Sequence, residues 1–116
     1  MIMNKEVYEV SKDRLIYDAS HPLDAAVVSF HTPDGAEGCL KRGEVLDYSD
    51  GKYVKHTSEG KAGAIVAENA SYAADDTDIS VTVYISGTFR HAECISDVAL
   101  AEKDVVELRS NGIYLK

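Results

Sequence analysis

The chain has 116 residues, 45% hydrophobic and 28% charged, with no Trp, two Cys and a formal net charge of -8. A folded chain of this size buries roughly two-thirds of the surface it exposes when unfolded, which suffices for one core and excludes two domains. No uncharged run approaches the ~20 apolar residues of a bilayer-spanning helix, and no basic stretch leads into an apolar one at the start, so neither membrane insertion nor secretion is expected.

Acids outnumber bases 20 to 12, and no Lys or Arg stands between Ala62 and Phe89. Nucleic-acid affinity rests on clustered cations that release counterions, so a nucleic-acid partner is not expected. Solubility is the simplest reading of the acidity. Cys39 and Cys94 lie far apart and outside any CxxC spacing. That excludes a zinc ribbon or redox pair and predicts two reduced, half-buried thiols.

Along the chain, Val7, Tyr8 and Val10 sit among Lys5, Glu6, Glu9 and Lys12, followed by Leu15, Ile16 and Tyr17. Neither helical nor strand period is sustained there, so residues 1–20 read as an edge strand or as an arm that stays mobile until it meets a partner. Residues 21–116 read as the single β-rich domain. Ala25 to Phe30 forms a strand ended by the turn Thr32-Pro33-Asp34-Gly35. Glu44 to Tyr48 and Tyr53 to Lys55 make a hairpin about Ser49-Asp50-Gly51-Lys52, where Asp-Gly supplies positive φ angles. Ala62 to Ala67 is a buried strand of small residues, and Asn69 to Asp78 a loop rich in Asp and Ala. Ile79, Val81, Val83 and Ile85 alternate with Ser80, Thr82 and Tyr84, the clearest period-2 run in the chain. Ser86-Gly87 is expected to break it, with Thr88 to Ile95 pairing back.

The last quarter changes period. Val98, Ala101, Val105 and Leu108 predict a helix, with Ser96 and Asp97 as candidate caps and Arg109 near its end. Asn111-Gly112 stops it and Ile113 to Leu115 can add a final strand. The expected class is α+β and β-rich: a small single domain of short antiparallel strands with one C-terminal helix and an N-terminal arm.

Chemistry is harder to find. Ser49 to Lys52 and Ser58 to Lys61 match Ser-x-x-Lys, but both lie in Gly-containing turns rather than at a helix start, where one turn would bring the amine under the hydroxyl. Gly60-Lys61 fails as a phosphate loop because Lys55 replaces the upstream Gly and Ala62 the Ser or Thr. His21, His31, His56 and His91 are scattered, so no local pair presents metal ligands. Asp75, Asp76 and Asp78 lack the Gly and Glu of a calcium-binding hand loop. The expectation is therefore no catalytic residue, no metal and no cofactor.

The segment Tyr84-Ile85-Ser86-Gly87-Thr88-Phe89-Arg90 resembles the Tyr-x-Ser-Gly-Thr-Phe-Arg segment of the head decoration protein family of lambda-like bacteriophages. Arg42-Gly43-Glu44-Val45-Leu46, Asp50-Gly51-Lys52-Tyr53-Val54, the Gly63-containing run Ala62 to Ala67, and Gly112-Ile113-Tyr114-Leu115 are similar to that family's other segments in the same order. The resemblance implies a non-enzymatic virion protein that binds as a homotrimer to the outside of an expanded capsid, clamps major capsid protein subunits and passes through the host bacterial cytoplasm during assembly. It assigns shell contact to the arm, here Val7, Tyr8, Val10, Leu15, Ile16 and Tyr17. In this chain the arm carries more charge and more large apolar residues than a Pro-, Ala- and Thr-rich one would, so a strand packed on the domain's own sheet is an equal expectation for these residues. Two readings of other classes stand beside it: an acidic inhibitor that mimics nucleic acid, and a small-molecule-binding β domain.

Overall fold

Alternation of apolar and polar residues builds most of the described chain, residues 15–17, 23–33, 35–96 and 98–116 of a computed structural model. Its strands are β1 (Asp24–His31), β2 (Gly38–Leu40), β3 (Val45–Ser49), β4 (Lys52–Lys55), β5 (Ala62–Val66), β6 (Ala70–Tyr72), β7 (Asp78–Phe89) and β8 (Ile113–Leu115). One α-helix, α1 (Glu102–Ser110), precedes β8. The order β1-β4-β3-β5-β7 closes on itself because β1 also pairs along β7, from Asp24 opposite Ser86 to His31 opposite Asp78. The result is a small five-stranded barrel, which leaves few open edges. β8 extends the sheet beyond it, and β2 pairs with β6 as a separate ribbon.

Two cores follow from the two faces of the barrel wall. Inward lie Phe30, Leu46, Ala64, Val66, Val81 and Val83, joined by Leu40 and Tyr72 from the ribbon. Outward lie Val45, Ala62, Ile65, Ala67 and Tyr84, packed under Leu108 of α1, Ile113 of β8, Phe89 and the N-terminal residues Leu15 and Ile16. Successive residues therefore serve different cores: Val45 outward and Leu46 inward, Ile65 outward and Val66 inward. The β3–β4 hairpin forms as its sequence predicts, with φ of 50° at Asp50 and 84° at Gly51 and Tyr48 opposite Tyr53.

The fold class is the expected one, an α+β, β-rich domain with one C-terminal helix, but five local expectations are corrected. Ser86-Gly87 does not break the strand: β7 runs unbroken through twelve residues to Phe89, Gly87 taking φ of 138° within it. Thr88 and Phe89 belong to β7 itself and pair with β8, so no strand runs back over Thr88 to Ile95. The Asn69–Asp78 loop contains β6, too short to show a period. Not every pairing is antiparallel, since β1–β4 and β7–β8 are parallel. The helix starts later than its apolar spacing suggests: Ala101 stands at the N-cap, Val98 lies outside, and Ser96 Oγ is buried without a hydrogen-bond partner among the described residues. Asp97 lies outside the described residues.

Leu46 is fully buried against the barrel core. Truncation of such a side chain costs about 2–5 kcal/mol, so Leu46→Ala is expected to lower the urea midpoint accordingly with an unchanged m-value.

Candidate functional site

The motif strand and the N-terminal segment meet at the far end of β7. Thr88 accepts a hydrogen bond from the Tyr17 N–H at 2.9 Å, and the Arg90 N–H donates to the Leu15 carbonyl at 2.7 Å. Ile16 faces Phe89 as an antiparallel bridge. Arg90 also donates a side-chain N–H to the Ile16 carbonyl at 3.2 Å, and its guanidinium lies 5.5 Å from the centre of the Tyr17 ring. On the other side Gly87, Thr88 and Phe89 pair with Ile113, Tyr114 and Leu115. A single four-residue stretch, Gly87 to Arg90, thus holds the N-terminal segment and the last strand.

This arrangement sorts the arm residues. Leu15 and Ile16 are 2% and 7% exposed and belong to the outer core. Their side chains hold the segment to the domain. Tyr17 is exposed. Val7, Tyr8 and Val10 lie outside the described residues. Of the other motif residues, Tyr84 and Phe89 are core, with ring centroids 5.2 Å apart, and Arg42 donates to the Tyr84 hydroxyl at 2.7 Å. Thr88 is buried, while Ser86 is half-buried beside Gly112. Gly43 precedes β3, Gly63 sits at the irregularity inside the β3–β5 pairing, and Gly51 is in the hairpin turn. These motif residues are thus largely architectural.

One constellation was not legible in the sequence. His56 Nδ1 lies 2.6 Å from Asp47 Oδ1 on β3, and Nε2 lies 3.1 Å from Asp104 Oδ2 on α1. All three side chains are at most 3% exposed. Carboxylate oxygens only accept, so a ring that meets both does so as the doubly protonated imidazolium. Asp47 also accepts the Thr57 N–H at 2.8 Å. Asp104 accepts the Ala101 N–H at 2.8 Å, closing the helix N-terminus from its third residue, and the Lys103 ammonium at 3.1 Å. A Cβ at Gly60 would run into the Asp47 carboxylate, so only glycine fits there. Burial pushes the Asp104 carboxyl up, but the Ala101 N–H, Lys103 and His56 together outweigh it and hold the group below its usual range.

An Asp-His pair suggests general-base chemistry, yet this one is sealed from solvent, and carboxylates occupy both ring nitrogens. It acts as an ionic clamp between barrel and helix. The remaining candidates are dispersed. Ser49 faces Lys52 across the hairpin, while Lys52 pairs with Asp78 at 3.2 Å, beside His31 at 3.1 Å from the same carboxylate. Ser58 and His91 are exposed, and His21 lies outside the described residues. Cys39 is exposed rather than half-buried. Burial, with Glu93 nearby, pushes the Cys94 thiol up to about 12, which makes it a poor nucleophile.

Removing one partner of a buried ion pair leaves the other uncompensated, so His56→Ala is expected to cost about 3–5 kcal/mol in urea unfolding. Because Asp104 is held low in the folded state and titrates near 3.9 when unfolded, the unfolded chain takes up protons first on acidification. Its stabilisation is complete above that value and is lost as pH falls through the folded one. Urea midpoints measured from pH 6 downward should drop below about pH 4, and Asp104→Asn should flatten that drop.

No family model matches the chain, and a comparison with curated proteins finds no relative.

Proposed function

We propose that this chain is a bacteriophage or prophage head decoration protein, which binds as a homotrimer to the outer surface of the expanded capsid and stabilises it. The observation that carries the reading is the ordered set of segments from Arg42 to Leu115 that resembles that family, centred on Tyr84 to Arg90. The position of that stretch gives it physical sense, since it anchors Leu15 to Tyr17 at the end of β7. An N-terminal arm can add a strand to an edge of a major capsid protein subunit. Three such segments on one trimer convert modest contacts into avid attachment. The acidic balance suits a face turned to solvent rather than to packaged DNA. The protein would then reside on the virion exterior after assembly in the bacterial cytoplasm.

The test follows from how the first residues divide. Removing residues 1–17 would take Leu15 and Ile16 out of the core, whereas removing residues 1–14 leaves the anchor in place. The full chain is expected to sediment as a trimer and to pellet with expanded shells assembled from the major capsid protein of the same genome. Deletion of residues 1–14 should abolish pelleting with an unchanged circular dichroism spectrum. A full chain that stays in the supernatant would end this reading.

A further inference from the structure

Beside the C-terminal end of α1, strands β3, β4 and β5 leave an open groove of about 570 Å³, within the size range of small-ligand sites. Tyr48 and Tyr53 form one wall, their ring centroids 5.2 Å apart and their planes at 65°. Lys61, Glu107, Ser110 and Asn111 stand around the rim.

The groove exists because of a bulge. Leu46 pairs with Ala64 and Asp47 with Ala62, so Gly63 has no partner on β3. A Cβ on Gly63 would stand 3.2 Å from Tyr48 Cβ and 3.6 Å from Tyr53 Cε2, so glycine lets both rings lie low over the strand. Tyr48 nonetheless remains 51% exposed.

The polar groups of the rim are only partly used. Among the described residues, neither tyrosine hydroxyl nor the Lys61 ammonium has a hydrogen-bond or ion-pair partner. Glu107 Oε1 accepts the Ala62 N–H at 3.2 Å, and Oε2 is left to accept. Ser110 and Asn111 donate to the Glu107 carbonyl at 2.7 and 3.1 Å, so their oxygens can still accept. Burial and the neighbouring Tyr48 phenol raise the Tyr53 pKa, keeping its hydroxyl a donor.

Ligand chemistry follows by elimination. An anion would meet Lys61, but also Glu107 and the negative end of the α1 dipole on a chain of net charge -8. A wholly apolar ligand would strip water from the rim groups and return no hydrogen bonds. A pyranose ring offers a C–H face to an aromatic wall and hydroxyls that both donate and accept. We propose that this groove binds a neutral oligosaccharide, with one sugar ring against Tyr48 and its hydroxyls shared among Lys61, Glu107 and Asn111. The groove lies within one chain, so this inference is independent of capsid attachment.

The test is an NMR titration of the ¹⁵N-labelled full chain with maltotriose, cellotriose and triacetylchitotriose, and separately with inorganic phosphate. At least one sugar should shift amides confined to Tyr48, Tyr53, Lys61 to Gly63 and Ser110 to Asn111. Tyr48→Ala should weaken that binding about tenfold or more. If Tyr48→Ala disturbs the fold, Lys61→Ala at the exposed rim should weaken it several-fold. Any of four outcomes overturns the proposal: no shift with all three sugars, shifts centred elsewhere, phosphate replacing the sugars at the same amides, or unweakened binding by the folded variants.

Discussion

β7 enters the barrel at Asp78 paired with β1 and leaves it paired with β8, and the twelve residues between serve two cores in turn. Its first half points Val81 and Val83 inward, while Tyr84 and Phe89 pack outward under the helix. Closure depends on the β1–β7 pairing, because β1 meets β4 at only one register position, Phe30 opposite Tyr53. Gly87 permits the passage from one partner to the other. A side chain there would press on Leu23 and the Phe89 ring, and φ of 138° would strain any residue bearing a Cβ.

Given that strand, α1 has an apolar seat on the outer core but little apolar surface of its own: Leu108 is its one buried hydrophobic residue, beside buried Asp104. The ionic clamp supplies the missing specificity. Hydrophobic contact is non-directional and would tolerate a helix shifted along its seat, whereas Asp104 reaches His56 at only one position. The same geometry alters the meaning of the chain's acidity. Glu44, Asp47 and Asp104 are all buried, and Glu44 accepts the Lys55 ammonium at 3.2 Å. Part of the acidic excess is therefore interior architecture.

What was legible in the sequence is what local pattern controls. Period two marked β7, Asp50-Gly51 marked the hairpin, and Asn111-Gly112 marked the helix end. The clamp was not legible because its members lie 9 and 48 residues apart, and nothing near His56 distinguishes it from the other three histidines. β2 and β6 are three residues each, too short for alternation to register. Ser86-Gly87 misled because glycine signals both a turn and a strand crossing a crowded place, and only the surrounding side chains decide between them. The tyrosine wall is legible in the sequence: a two-residue turn at Asp50-Gly51 puts Tyr48 opposite Tyr53, beside a glycine-containing strand.

Acid-base capacity and access are separated in the clamp. Asp47, His56 and Asp104 have the first and lack the second, for each is at most 5% exposed and every ring nitrogen is engaged. The tyrosine groove has access, but its titratable groups are two phenols, an ammonium and a carboxylate already accepting a backbone N–H. General-base catalysis needs a group that is both basic and within reach of a bound substrate. In the clamp the second condition is not met, so its three side chains serve the seating of α1 on the barrel.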